Sequence, residues 1–366
     1  MKKIYFLTRT KPELTIPYYL RVCKLSELFE KAFNHDIEVL NFYHKSSRLH
    51  QVLHTKVMTK KFIKEKAKDA SLIVACGLDP SSTTLIRNYC MKNGIRFYVD
   101  VVEFADKKEK KLGNFSPSLR LNHELIKRVI TKGCKVLAIS HYFQEYFKKK
   151  GIETIYVPNL YSKTFDNKDY VEPRDGVLTF AFVGYPHKKD SLDYILRALL
   201  KLNEQYPKKF KFLLAGITKD QVFKKWPEFK SEEEKLSGFT EYFGIINDRS
   251  KIQEVYLKSH FSILIRDPDL IVCQSGFPTK FVESLSFSRP VISNKTSDIF
   301  DYLKDGFNGL QVYGYNSDEI LRTLQRAFES FKDINRFCIN SFNTAVESFG
   351  ISTYVENIRK SYEEKH

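Results

Sequence analysis

Twelve short apolar runs punctuate this 366-residue chain, each followed by an amphipathic or polar stretch. In the first half they fall at Ile4–Thr8, Ile37–Phe42, Ser71–Cys76, Ile95–Val102, Lys135–Ile139 and Thr154–Val157. In the second half they fall at Leu178–Val183, Lys211–Leu214, Thr240–Phe243, Phe261–Ile265, Pro290–Ile292 and Gly309–Val312. Unbroken apolar runs of this length suit strands buried on both faces. Helical patterns lie between them, among others at Tyr18–Phe33, Ser82–Asn93, Leu121–Thr131, Tyr142–Lys149, Ser191–Gln205, Ile252–Ser259, Thr279–Phe287, Ser317–Phe331 and Asp333–Val346. Strand and helix in alternation predict an α/β protein with two Rossmann-like, doubly wound parallel-sheet domains. The polar segment 166–176 reads as the linker between residues 1–165 and 177–349, and 350–366 as a C-terminal helix that packs back on the first domain.

Charge divides the same way. Residues 1–166 hold 31 lysines and arginines against 16 acidic residues, a net of +15, while the remainder is nearly balanced at 29 against 28. Dense basic runs occur at Lys60–Lys68, Lys107–Lys111 and Lys148–Lys150. Nucleic acid, an anionic membrane surface or an acidic substrate each fits such a half. The runs lack interleaved aromatics, and no RNA-binding signature is present, which disfavours nucleic acid. Six scattered cysteines without metal-ligand spacing predict reduced, buried thiols and no zinc site. The opening apolar run is too short for a signal peptide, and no stretch approaches eighteen apolar residues.

The chemistry concentrates near Gly276-Phe277-Pro278-Thr279-Lys280-Phe281-Val282-Glu283. A glycine turn, a proline placed for the first helical position and a helix follow one another there. A helix start leaves unpaired N–H groups and partial positive charge, which suit a phosphate. Glu283 lies four residues after Thr279 on the same face, placed to take a ribose diol while the helix start holds a diphosphate. An ordinary capped helix has the same pattern. Upstream, Gly184 follows a strand, and Lys188 and Lys189 occupy the loop beyond it, within reach of a diphosphate. Arg266 closes another strand, where its fork suits phosphate oxygens or pairs with Asp267 or Asp269. Asp100 and Glu103 end a first-domain strand and read either as groups that orient a second substrate or as satisfied structural carboxylates. Ser140, before His141, reads as a helix cap. The dinucleotide fingerprint is missing after both first strands, as are a Walker loop and a nucleophile elbow.

These residues, with Tyr98-Val-Asp-Val-Val-Glu103, Ala138-Ile-Ser-His141, Val157-Pro-Asn159 and Arg289-Pro-Val-Ile292, resemble the GT-B glycosyltransferases of retaining family 4. The resemblance is strongest to the branch found in bacterial surface-polysaccharide gene clusters. It implies two Rossmann-like domains facing a central cleft, and transfer of a sugar from a nucleotide donor to an acceptor hydroxyl with retention. It implies that the second domain binds the donor: Glu283 the ribose hydroxyls, the amides around Pro278–Lys280 the diphosphate, with Lys189 and Arg266 neutralising charge. The positions Gly184, Lys188, Ser275, Gly276 and Phe277 belong to the same donor set. No cofactor and no divalent metal is implied. A lipid-linked saccharide acceptor would give the basic first domain its purpose at an anionic, cytoplasmic membrane face.

The chain also departs from the family pattern. Eight residues before Glu283, where a second glutamate usually stands, is Ser275. Tyr185 replaces an arginine after the second-domain glycine, and Arg9-Thr-Lys-Pro replaces a glycine pair, so Arg9 or Lys11 is the expected phosphate or acceptor contact. The missing glutamate keeps open a non-catalytic subunit that partners another glycosyltransferase, and a nucleotide-sugar epimerase.

Overall fold

The computed structural model of the protein describes residues 3–33, 35–110, 112–161 and 177–364. The linker expected at 166–176 and Lys111 lie outside the described residues. The chain forms two compact units: Met1–Leu160, Gln274–Phe277 and Gly350–His366 make unit 1, and Tyr161–Cys273 with Pro278–Phe349 make unit 2.

All twelve apolar runs are strands, each within two residues of its expected bounds. Unit 1 holds β1 (Lys3–Thr8), β2 (Ile37–Asn41), β3 (Ala70–Cys76), β4 (Arg96–Val101), β5 (Lys135–Ala138) and β6 (Glu153–Tyr156). They form one parallel sheet in the order β2-β1-β3-β4-β5-β6. Every residue of β3 is buried, as a strand covered on both faces requires. Helix α1 (Pro17–Ala32) supplies Val22, Leu25, Leu28 and Phe29 to the core. Helix α2 (Arg48–Glu65) was visible in the sequence only as a basic run, because it buries Thr55, Thr59 and Phe62 in place of a leucine stripe. The helix expected over Leu121–Thr131 starts earlier, at Pro117, and runs to Glu124 before widening into a π-helical turn over Leu125–Val129.

The far end of the chain completes this first core. Ile351, Tyr354 and Ile358 of the helix Ile351–Glu363 are buried with β1, β3 and α1 residues. The Tyr98 and Ser361 hydroxyls lie 2.8 Å apart, and the Phe33 and Tyr362 rings meet at a tilt with centroids 4.7 Å apart.

One buried ion pair ties the centre of unit 1 together. The Arg21 guanidinium on α1 donates to both Asp100 oxygens at 2.7–3.1 Å, and to the carbonyls of Val157 and Pro158 at 2.9 and 2.7 Å. Both side chains are essentially inaccessible. Asp100 is held as a buried, ion-paired carboxylate, which is the structural one of its two expected readings. Its charge is neutralised at short range, and Arg21 in turn anchors the ends of β4 and β6.

Unit 2 holds β7 (Leu178–Val183), β8 (Phe210–Ala215), β9 (Thr240–Gly244), β10 (Phe261–Leu264), β11 (Val291–Asn294) and β12 (Gly309–Val312), in the order β12-β11-β10-β7-β8-β9. All pairs are parallel. Two successive crossovers step outward from β7 on one side and from β10 on the other, so strand order reverses between β7 and β10. Arg289, part of the resemblance, is wholly buried and donates to the carbonyls of Tyr256, Leu257 and Ser288 at 2.9–3.0 Å. It closes the carboxyl end of the helix Arg249–Lys258. Among the described residues no helix is long and apolar enough to cross a membrane.

Removing one member of the Arg21–Asp100 pair leaves the other charge buried without compensation. We expect Arg21→Met to destabilise the protein by about 3–5 kcal/mol in urea unfolding. A loss below roughly 1 kcal/mol would remove the pair from its structural role.

Candidate functional site

In an open α/β sheet, ligands bind beyond the carboxyl ends of the strands where the order reverses. In unit 2 that crevice opens between β7, followed by Gly184, and β10, followed by Ile265 and Arg266. Gly184 has φ +104°, and a Cβ there would stand 2.8 Å from Cε of Lys280. Its neighbour Gly216, past the end of β8, has φ +102°, and its Cβ would meet the Gly184 carbonyl carbon at 2.3 Å. The two glycines let backbone lie against backbone and let the Lys280 stem cross the strand end.

A single carboxylate organises the crevice. Asp190 is 5% exposed and forms an isolated antiparallel bridge with Arg266. It accepts from the His187 amide at 3.2 Å, and its Oδ2 lies 3.4 Å from the Lys280 ammonium. Burial by itself pushes the Asp190 carboxyl up. Lys280, Arg266, Lys189 and His187 together bring it below the usual range. Lys280 pairs with this anion directly, and Arg266 and Lys189 act on it through space.

Those cations feel one another. Burial first, then repulsion from Arg266 and Lys189, lowers the Lys280 pKa against the pull of Asp190. Its ammonium nitrogen is buried, lies 4.4 Å over the Phe182 ring, and donates no hydrogen bond among the described residues. Lys225 donates to the Pro186 carbonyl and sits 4.5 Å over the Trp226 ring, with its pKa lowered by burial. His187 is likewise lowered, by burial and by the surrounding lysines. Arg266 is 3% exposed, and its backbone is clamped by Asn294, which accepts from the Arg266 amide at 2.9 Å and donates to its carbonyl at 2.8 Å. Lys188 is exposed and Lys189 half-buried.

The helix Thr279–Ser286 begins beside this cluster, through Lys280. Pro278 is its N-cap in extended conformation, not its first helical residue, and no side chain caps the amides that follow. Glu283, one turn on, is 16% exposed and accepts from Arg249 Nη1 at 2.9 Å. Arg249 begins the helix Arg249–Lys258, so the carboxylate is held by a cation from another element.

The preceding residues behave differently. Gln274–Phe277 belong to unit 1. The Ser275 hydroxyl accepts from the Phe104 amide at 2.9 Å, and its carbonyl accepts from the Ser140 hydroxyl at 2.5 Å. Asn159 donates to the Phe277 carbonyl at 2.8 Å, and Gly276 and Phe277 are buried. Ser140 stands at the N-cap of the helix His141–Lys148, yet its side chain makes no cap bond because it is engaged with Ser275. Ser275, Gly276 and Phe277 are therefore brought together with Phe104, Ser140 and Asn159 of unit 1, while Pro278, Thr279, Lys280 and Glu283 stand with unit 2.

The remaining candidates sit at the ends of unit 1 strands. Strand order there reverses between β1 and β3, and Arg9, just past β1, donates to the Gly77 carbonyl just past β3 at 2.9 Å. Burial lowers its pKa, opposed by Asp79. Lys11 is half-exposed and paired with Glu13. Glu103 lies two residues beyond β4, half-buried, and its carbonyl accepts from Asn122 at 3.1 Å. Sequence reasoning missed Asp190, Lys225, Arg249 and Asn294. Asp190 alone carried a signal, since it directly precedes a helix and follows two lysines.

The family model described as Glycosyl transferases group 1 matches residues 164–351. No curated protein matches the chain. Among solved structures, sucrose-phosphate synthase of Thermosynechococcus elongatus is similar with a TM-score of 0.75 and 12% identity, over 99% of this chain and 98% of that one. HepE of Anabaena, solved with UDP-glucose, gives 0.66 and 15%, over 99% of each chain. The lipopolysaccharide outer core galactosyltransferase WaaB gives 0.65 and 16%, over 98% of this chain and 99% of that one. Identities this low speak for the fold.

A depressed Asp190 pKa contributes stability that is fully present above the unfolded carboxylate value of about 4, and lost as pH falls through the lower folded value. We expect Asp190→Asn to cost roughly 3 kcal/mol near neutral pH, with the gap to wild type narrowing in acid below about pH 3. Urea midpoints across that range measure it. A gap independent of pH would contradict the charge network.

Proposed function

Because the chain belongs to the glycosyl transferases group 1 family, we propose that the crevice between β7 and β10 binds the diphosphate of a nucleotide-sugar donor and serves retaining transfer to an acceptor hydroxyl. The observation that carries this reading is the buried Lys280 ammonium, 3.4 Å from the buried carboxylate of Asp190, whose backbone bridges that of Arg266. A desolvated ammonium with further cations near it suits a doubly charged ligand. The open amides after Pro278 add donors to the same phosphates. Glu283, oriented by Arg249, is assigned to the ribose hydroxyls.

In the reaction proposed, the bond between the sugar C1 and the diphosphate oxygen breaks as the acceptor oxygen bonds to C1 on the same face. The acceptor proton passes to the departing phosphate oxygen, so no separate base is required. Lys189, Arg266 and Lys280 stabilise the charge that grows on the leaving group, in the role a divalent metal plays elsewhere. A UDP-sugar is the first donor to try, given the ligand of the HepE structure. We place the acceptor among lipid-linked saccharides of surface-polysaccharide assembly, reached from the inner membrane face by the basic first unit.

Ser275 supports a second reading. Its hydroxyl accepts a backbone amide within unit 1, where the family pattern has a donor-binding glutamate. That substitution suits a non-catalytic subunit which keeps the nucleotide end of the site.

A thermal-shift screen across UDP-, GDP-, ADP- and dTDP-sugars tests donor binding, since stabilisation follows affinity for the native state. One nucleotide class is expected to stand out, with binding unaffected by chelator. Glu283→Ala should weaken it by about 1.5–3 kcal/mol, roughly ten- to a hundredfold. Absence of any shift would sink the donor site. Binding without hydrolysis or transfer of the sugar would favour the non-catalytic subunit.

A further inference from the structure

We infer that the outward face of α2 is the surface by which this protein docks on an anionic lipid bilayer. The inference rests on the membrane-borne acceptor proposed above and adds the place of contact. Helix α2 is oriented against its own hydropathy. It turns Leu49, Leu53 and Val57 to solvent, at 70%, 51% and 63% exposure, and buries Thr55 and Thr59 beside Phe62. Four-residue spacing sets the three apolar side chains in one row. Farther along the same face Lys60 and Lys64 are exposed, flanked by Lys56 and Lys61. No acidic residue occurs between His44 and Lys64.

A single exposed leucine needs no explanation, but a contiguous row does. Apolar side chains aligned with lysines on one exposed face are the makeup of a helix lying in a bilayer interface. Leucine side chains enter the acyl boundary there, while lysine stems lie along it and hold their ammonium groups at the lipid phosphates. A second cluster of the same kind follows β4, where Leu112 and Phe115 are 63% and 75% exposed near the exposed Lys107 and Lys108. The segments after β2 and after β4 both leave carboxyl ends of strands in one parallel sheet, so both clusters start from the same end of unit 1. A broad, flat, negatively charged partner matches both clusters, whereas a protein groove sized for one helix matches only α2.

The test is co-sedimentation with phosphatidylglycerol–phosphatidylcholine vesicles and with phosphatidylcholine vesicles alone. Wild type should bind the anionic vesicles, release at high salt and ignore the neutral ones. A Leu49→Ser, Leu53→Ser, Val57→Ser variant should bind about tenfold or more weakly. A Lys60→Gln, Lys64→Gln variant should lose affinity and much of its salt dependence. All these side chains face water, so melting temperatures should match wild type, which separates lost docking from lost fold. In a Leu53→Trp variant, indole emission beyond that of the native Trp226 should shift to the blue on anionic vesicles. If wild type binds and the serine variant binds equally, the α2 face is wrong while the membrane reading stands. If wild type binds no vesicle, the membrane reading fails and the inference with it. Self-association of wild type that the serine changes abolish, without an effect on vesicles, would make the face a contact between two copies and overturn the proposal.

Discussion

Burying a carboxylate is costly unless opposite charge surrounds it closely. Asp190 meets that condition with Lys280 as its direct partner and with Arg266 and Lys189 acting on it through space. The arrangement works in both directions. The anion fixes long side chains that would otherwise sample many rotamers, and so removes ordering entropy from a later binding event. Burial, with repulsion from Arg266 and Lys189, still lowers the Lys280 pKa. Gly184 belongs to the same constraint, because any side chain there would collide with the Lys280 stem. The helix start at Thr279 and Glu283 extend from this point along one element, and Arg249 of another helix holds the Glu283 carboxylate.

The two units treat charge at strand ends in opposite ways. In unit 1, Arg21 and Asp100 match donor to acceptor, with the leftover donors of Arg21 taken by two carbonyls. Nothing remains for a ligand, and the pair stiffens the sheet. In unit 2 the cations outnumber the anion. Both arrangements hold an aspartate at or just past a strand's carboxyl end, and both aspartates are almost inaccessible. Their difference lies in stoichiometry, which no single residue reveals.

That contrast explains which parts of the molecule were legible in the sequence. Parallel strands covered on both faces leave unbroken apolar runs, and so Leu178–Val183 and Gly309–Val312 could be bounded to the residue. Helix α2 escaped notice as a helix because its buried face is threonine, which breaks the expected period. Gly184, Lys189, Arg266 and Lys280 were readable because they sit in strand-end and helix-start positions with recognisable spacing. Asp100 could be placed at a strand end, but its partner Arg21, 79 residues away, could not be read beside it. Arg249 and Lys225 were invisible for the same reason: their importance comes from tertiary neighbours, Glu283 and Pro186, and not from anything beside them in the chain.

The division of the chain into units follows no single cut. The backbone leaves unit 1 after Leu160, returns for Gln274–Phe277, leaves again, and returns at Gly350. Unit 1 is therefore first to emerge during synthesis and last to be complete. Until residues 350–364 arrive, the cavity that Ile351, Tyr354 and Ile358 fill in its core stands open. Until Ser275 arrives, the Phe104 amide lacks its acceptor. Unit 2 has its whole sheet between residues 178 and 312, and its core takes in Phe337 before the chain leaves it after Phe349. Completion of unit 1 therefore waits on a segment made after unit 2, although its first strands are made before it.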